Sequence, residues 1–285
     1  MNGGKFAYPV ALTIAGSDSS GGAGIQADIK AMSAVGCYAA SVITSITVQN
    51  TIGVTAVQAV SPDIVAGQIR AVMDDIRPKA LKIGMVNDRS TIQAIAATLR
   101  EYAIEHLIVD PVMVSTSGSR LMQEDALDVF KAELLPLATL LTPNVPEAEI
   151  LSGIKIRDKD TMDEAARRIM ALGCAAVLIK GGHLCGSKID RLYGSGQYEY
   201  GCGDIPTYNT HGTGCTLSSA IASYLALGCT LMEAVASAKE YVTEALKAGA
   251  DVVIGAGHGP VNHFFAPKSL VKLPLEDGNA DRKLE

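Results

Sequence analysis

Along this chain, short and nearly unbroken apolar runs alternate with longer stretches in which apolar residues recur every three or four positions. Residues 11–15, 80–83, 107–109 and 175–179 are runs of the first kind and read as strands buried on both faces. Residues 25–35 place Ile25, Ile29, Met32 and Val35 on one side and read as a helix. Further helices are predicted over 62–76, where Pro62 sits in a tolerant first turn, and over 88–102, 124–134, 161–172, 213–227 and 231–248. Residues 39–48 and 54–60, rich in β-branched side chains, each read as one strand. Residues 139–141 read as another, and 190–208 as short strands with glycine turns. Repeated strand–helix units predict an α/β class fold in three layers, α/β/α, around a mostly parallel sheet. No linker or repeat interrupts residues 8–265. A single domain over 1–285 is therefore expected, with its core at about 8–266 and a charged tail, 267–285, expected to fray.

Composition narrows the class. The chain of 285 residues is 48% hydrophobic, enough for a large core. A net charge of −6, the absence of tryptophan and the lack of a basic patch with interleaved aromatics count against nucleic-acid binding. No apolar run reaches the roughly 18 residues that span a bilayer, and the first ten residues lack a signal-peptide pattern. Six scattered cysteines without a CxxC pair read as reduced thiols, so a cytoplasmic location is expected. His183 with Cys185, and His211 with Cys215, match no zinc spacing.

In parallel sheets, ligands bind beyond the carboxyl ends of the strands. The polar residues Gly16, Ser17, Asp18, Asp110, Asn144 and Lys180 follow predicted strands there, as does Met85. Residues 210–216, Thr-His-Gly-Thr-Gly-Cys-Thr, precede a helical run, so free backbone N–H groups and the helix dipole form a candidate anion hole. Cys215 lies in it, where a thiol is expected to have a lowered pKa; an ordinary glycine-containing cap with a buried cysteine fits the same spacing. Gly22-Ala-Gly-Ile-Gln-Ala27 matches a dinucleotide fingerprint, but residues 29–62 hold no acid for a ribose, and no Walker loop is present. Asp110 at a strand end and Glu147, near Asn144, are candidates for Mg²⁺ or, equally, for capping and solvation. Lys180, followed by two glycines, suits a phosphate or plain solvent. Residues 115–120 have the small polar composition of a mobile flap or a surface loop.

Seven segments, in order, resemble the hydroxymethylpyrimidine/phosphomethylpyrimidine kinases of thiamine biosynthesis, in the ribokinase-like superfamily. They are residues 15–28 (AGSDSSGGAGIQAD), 48–50 (VQN), 82–85 (KIGM), 110–113 (DPVM), 142–148 (TPNVPEA), 180–183 (KGGH) and 209–215 (NTHGTGC). The resemblance implies an ATP-dependent kinase that phosphorylates 4-amino-5-hydroxymethyl-2-methylpyrimidine and then its monophosphate, with small-molecule partners and often a homodimer. It implies that Cys215 acts as base, that Gly212, Thr213, Gly214 and Cys215 form the anion hole, and that Lys180 assists catalysis. Gln49 would bond the aminopyrimidine, with Gly16, Ala23, Met85 and Val112 lining its pocket. Asp110, Asn144 and Glu147 would organise Mg²⁺, and Lys180, Asn144 and Thr213 would contact ATP. The related rival is a pyridoxal/pyridoxine kinase. The flap here lacks the second cysteine expected of pyridoxal specialists. A regulator that keeps the fold without turnover, and a dehydrogenase, are further alternatives.

Overall fold

Side chains alternate across a strand, so a strand buried on both faces must be apolar on both. The central strands meet this requirement and assemble into one sheet. The computed structural model describes residues 5–114, 118, 121–181 and 189–274. In chain order the elements are β1 (Phe6–Ala7), β2 (Val10–Ala15), α1 (Gly24–Ala34), β3 (Tyr38–Ile43), β4 (Ser45–Gln49), β5 (Val54–Ala59), α2 (Pro62–Asp75), β6 (Ala80–Ile83), α3 (Arg89–Leu99), β7 (His106–Val109) and α4 (Ala126–Val129). There follow β8 (Leu140–Leu141), α5 (Val145–Ser152), α6 (Lys159–Met170), β9 (Val177–Ile179), β10 (Ile189–Tyr193), β11 (Gln197–Gly201), α7 (Thr213–Ala226), α8 (Leu231–Ala248) and β12 (Leu273–Pro274). After α4 the helix widens into a π segment, Phe130–Leu134, and tightens into a 3-10 turn, Leu135–Leu137.

Eight strands form the main sheet in the order β11-β10-β9-β8-β7-β6-β2-β3. The strands from β3 to β9 pair in parallel, and β10 and β11 close one edge antiparallel. One face carries Leu12, Ile14, Leu81, Ile83, Leu107 and Val109 against α2, α3, α5 and α6. The other carries Ala11, Ala80 and Ile108 against α1, α7 and α8. This is the expected α/β architecture with helices on both sides of a mostly parallel sheet.

Two local expectations are corrected. Residues 39–48 are two strands, not one. The chain breaks at Thr44, whose hydroxyl donates to the Met85 carbonyl at 2.9 Å, and β4 then leaves the sheet to pair with β5 in a separate ribbon. Residues 145–152, unassigned from sequence, form α5. Pro143 before the cap and Pro146 in the first turn mask a capping box in which Asn144 and Glu147 satisfy each other's backbone N–H groups. The first part of the expected tail is hydrogen-bonded. Lys268 N–H donates to Ala34 O at 2.8 Å, and β12 pairs with β1.

Candidate active site

The turn after β2 is organised by one carboxylate. Asp18 Oδ1 accepts from the backbone and hydroxyl of Ser20 at 2.8 and 2.6 Å, and Oδ2 accepts from Gly22 and Ala23 N–H at 3.1 and 2.7 Å. His211 Nε2 lies 2.7 Å from the same Oδ2. Burial would raise the Asp18 pKa, but His211 and the Ser20 and Ala23 bonds outweigh it and hold the acid at about 2. The turn delivers α1 with no side-chain cap and no acid in its first turn. The same is true of α7, whose cap is Gly212 at φ +77°. A side chain at Gly212 would collide with the Gly22 carbonyl, so the two turns pack backbone to backbone. The N–H of Gly24, at the start of α1, lies near the Cys215 thiol and favours its charged form. Two uncapped helix N-termini therefore meet at one thiol, and their dipoles favour an anion there.

The four expected anion-hole residues differ in what they offer. Thr213 spends its N–H and hydroxyl on the Thr210 carbonyl, at 3.3 and 2.7 Å. Gly212 makes the turn. The N–H groups of Gly214 and Cys215, in the first turn of α7, have no intrahelical acceptor.

Beside this hole lies a buried charge cluster. Lys180 Nζ bonds Asp110 Oδ1 at 2.9 Å, and Thr142 and Ser218 hydroxyls reach the same carboxylate at 3.1 and 3.4 Å. Burial opposes the charge on Asp110, yet the Lys180 and Lys82 ammonium groups hold its pKa down. Lys180 is shifted up, because Asp110 and Glu147 outweigh its burial. Glu147 is pushed up to about 7 by burial and by the nearby Asp110 charge, against the pull of Lys180. Its carboxylate also accepts from Asn144 N–H at 2.8 Å, so the capping alternative is realised while surface solvation is not. Asn144 Oδ1 is itself committed to Glu147 N–H at 2.9 Å.

No group of three or more His, Cys, Asp or Glu among the described residues could hold a metal ion. The donor set, two adjacent carboxylates, fits Mg²⁺ of the kind completed by waters and substrate phosphates, and not an all-protein cage.

A second buried pair lies under Cys215. Lys82 is fully buried with its Nζ 2.9 and 2.8 Å from the Asp28 oxygens, which also accept from Thr13 at 2.5 Å and Ser219 at 2.6 Å. Strand alternation puts Thr13 and Lys82 on the face that packs on α1 and α7. Sequence reading took Lys82 only as part of a motif; a lysine inside a strand was the available signal.

The expectation of a lowered Cys215 pKa is corrected. Burial pushes the thiol up to about 11; Lys82 and the Gly24 N–H pull it down, but Asp28 and Asp110 oppose them.

Of the expected pocket residues, Gly16 and Met85 come together, since a Cβ on Gly16 would lie 3.3 Å from Met85 Sδ. Ser45 Oγ, missed from sequence, is buried beside Gly16 without a hydrogen-bond partner. Ala23 caps α1, and Gln49 ends β4 with its amide 3.5 Å from His211. Val112 follows Asp110, whose carbonyl its N–H meets at 2.8 Å. Most of the flap (115–117, 119 and 120), together with His183 and Cys185, lies outside the described residues. Two clefts of about 530 and 780 Å³ lie elsewhere, one beside Asp74 and Tyr102, the other between Pro206–Asn209 and Ala250–His258.

A family model described as phosphomethylpyrimidine kinase matches residues 18–262, a span that holds every element of this site from Asp18 to Cys215. The chain belongs to this family. A hydroxymethylpyrimidine/phosphomethylpyrimidine kinase of Rhizobium meliloti is 53% identical over 258 residues, covering 90% of this chain and 97% of that one. A bifunctional thiamine biosynthesis protein of Geobacter sulfurreducens is 49% identical over 91% of this chain, which spans 53% of its length. The crystal structure of a phosphomethylpyrimidine kinase from Clostridium difficile superposes with a TM-score of 0.76 at 50% identity, covering 84% of this chain and 99% of that one. An ADP complex of Bacillus subtilis pyridoxal kinase superposes at 0.82 with 36% identity, covering 90% and 98%. Sequence thus lies nearer the pyrimidine kinases, while the backbone is shared with pyridoxal kinases.

Proposed function

We propose that this chain, as a single kinase domain, transfers the γ-phosphoryl group of ATP first to the hydroxymethyl group of 4-amino-5-hydroxymethyl-2-methylpyrimidine and then to the resulting monophosphate. The observation that carries this reading is the meeting of two uncapped helix N-termini at Cys215, next to the Asp110–Lys180 pair. Phosphoryl transfer asks the protein for positioning and charge stabilisation more than for covalent chemistry. The N–H groups of Gly214 and Cys215 bind the oxygens of the transferring group, and Lys180 holds a phosphate of ATP. Asp110 and Glu147 would hold Mg²⁺, which neutralises charge on the phosphates; Asn144 orients Glu147 instead of binding metal itself. Gln49 and the unpartnered Ser45 hydroxyl address the ring beside Gly16 and Met85.

The second acceptor is a phosphate oxygen already ionised, so one site serves both steps, with Cys215 needed chiefly for the alcohol. A homodimer is supported by Ile46 and Val48, exposed side by side on the outer face of the β4–β5 ribbon. A cytoplasmic setting is supported by Cys37, Cys174, Cys215 and Cys229, thiols outside any disulfide; no described helix is long and apolar enough to cross a membrane.

The test is turnover with ATP-Mg²⁺ on the pyrimidine alcohol, its phosphate and pyridoxal in parallel. A higher kcat/KM for pyridoxal than for the pyrimidine alcohol overturns the assignment, and no ATP consumption with any of them overturns the enzyme reading.

A further inference from the structure

We infer that His211, oriented by Asp18, is a positioning residue that fixes which way the Gln49 carboxamide faces and so sets which pyrimidine edge the site accepts. The inference rests on the reading of Gln49 as the residue that addresses the ring. Asp18 is ionised and accepts at 2.7 Å, so His211 Nε2 carries the hydrogen and offers Gln49 no lone pair. On the other side of the amide, Thr47 Oγ1 lies 2.8 Å from the Ser17 carbonyl and 3.2 Å from Gln49 Oε1. A hydroxyl has one hydrogen, and the carbonyl takes it, so Thr47 shows Gln49 a lone pair.

With Gln49 Nε2 3.5 Å from His211 Nε2 and Oε1 toward Thr47, a donor faces a donor and an acceptor faces an acceptor. A half-turn of the amide, whose two ends have the same shape, removes both conflicts. Nε2 then donates to Thr47, and Oε1 shares the His211 N–H. The backbone of Gln49 cannot shift to evade this, because Ser19 Oγ bonds both its N–H and its carbonyl, at 3.0 and 2.7 Å.

One N–H and one lone pair of the amide remain, in a fixed spatial order. An aminopyrimidine presents a ring-nitrogen acceptor next to an exocyclic amino donor. The 4-oxo analogue presents a carbonyl next to a ring N–H, the reverse order. Only one of the two edges fits an amide that is held in place.

The experiment compares kcat/KM for 4-amino-5-hydroxymethyl-2-methylpyrimidine and its 4-oxo analogue in wild type, Gln49→Ala, His211→Leu, His211→Gln and Thr47→Val. The amino/oxo ratio does not depend on the fraction of active enzyme, so partial misfolding leaves it readable. The expected result is an amino preference in wild type that falls roughly tenfold or more in His211→Leu. Thr47→Val, on the peripheral ribbon, lowers it in the same direction, and His211→Gln, whose amide donates to Asp18, restores much of it. A ratio that collapses in Gln49→Ala but holds in both His211→Leu and Thr47→Val overturns this inference and leaves the pyrimidine reading standing. A ratio unchanged in Gln49→Ala overturns the reading of Gln49 itself.

Discussion

The demand for Cys215 should separate the two phosphoryl transfers along the pH axis. With the thiol pushed up to about 11, its thiolate fraction is about 10⁻⁴ at pH 7 and about 10⁻² at pH 9. The alcohol must shed a proton as it attacks phosphorus, whereas the monophosphate, with a second pKa near 6, is already ionised across this range. If the thiolate is the base, the rate on the alcohol climbs roughly tenfold per pH unit and the rate on the monophosphate stays nearly level. Glu147 titrates at about 7 and enters both reactions, so the ratio of the two rates cancels it. The assay is single-turnover phosphorylation of each acceptor between pH 7 and 9 with ATP-Mg²⁺ saturating. In Cys215→Ala the alcohol profile should flatten, with a loss of roughly 10²–10⁴-fold at pH 9. The anion hole, made of backbone, should keep the monophosphate reaction going. A level alcohol profile in wild type, or a slope that survives in Cys215→Ala, refutes the thiolate base and makes the thiol a shape-filling residue.

Gln49→Ala should weaken pyrimidine binding by about 1–3 kcal/mol and leave ATP binding unchanged, measured by calorimetric titration. Lys82→Met strips a fully buried carboxylate of its ammonium partner and should cost about 3–5 kcal/mol in urea denaturation; pairing it with Asp28→Leu should recover part of that loss. Glu147 has its folded pKa raised above the unfolded value, so ionising it costs stability as pH rises toward about 7, while metal binding needs the ionised form. The ligand-free enzyme should therefore lose thermal stability between pH 4.5 and about 7 and level off above, while its Mg²⁺-nucleotide affinity rises up to about 7, and Glu147→Gln should suppress both trends.

The central strands were readable because they are almost wholly apolar, α7 because of its long apolar run, and α8 because its periodicity and its Thr230–Glu233 capping box agree. What sequence pattern missed had competing signals. Pro143 and Pro146 read as loop, yet Pro146 sits in the first turn of α5 and Asn144 caps it. Residues 39–48 look like one strand because the corner at Thr44 is made by tertiary bonds to Met85 and Ala15, not by a turn residue. The thiol's shift was misjudged because a helix N-terminus is local and visible, whereas burial beside Asp28 and Asp110 is not. Asp18 and His211 are separated by 193 positions, and nothing in either neighbourhood announces the other.

That separation bears on how the protein is made. The parallel strands β2, β3, β6, β7, β8 and β9 are all complete by Ile179, so their pairing can precede the synthesis of α7 and α8. The bonds that close the site arrive afterwards: Asp18 to His211, Asp28 to Ser219, Thr216 to His263, and the bridge between His211 and Pro260. Until then the Gly16–Gly24 turn is held from the β4 side, through Ser17 to Ser45 and Thr47 and through Ser19 to Gln49. A chain cut short before Pro260 would lack the Thr216–His263 bond and the His211–Pro260 bridge. Closure of the site thus joins segments that are made far apart in time, and it follows the pairing of the sheet.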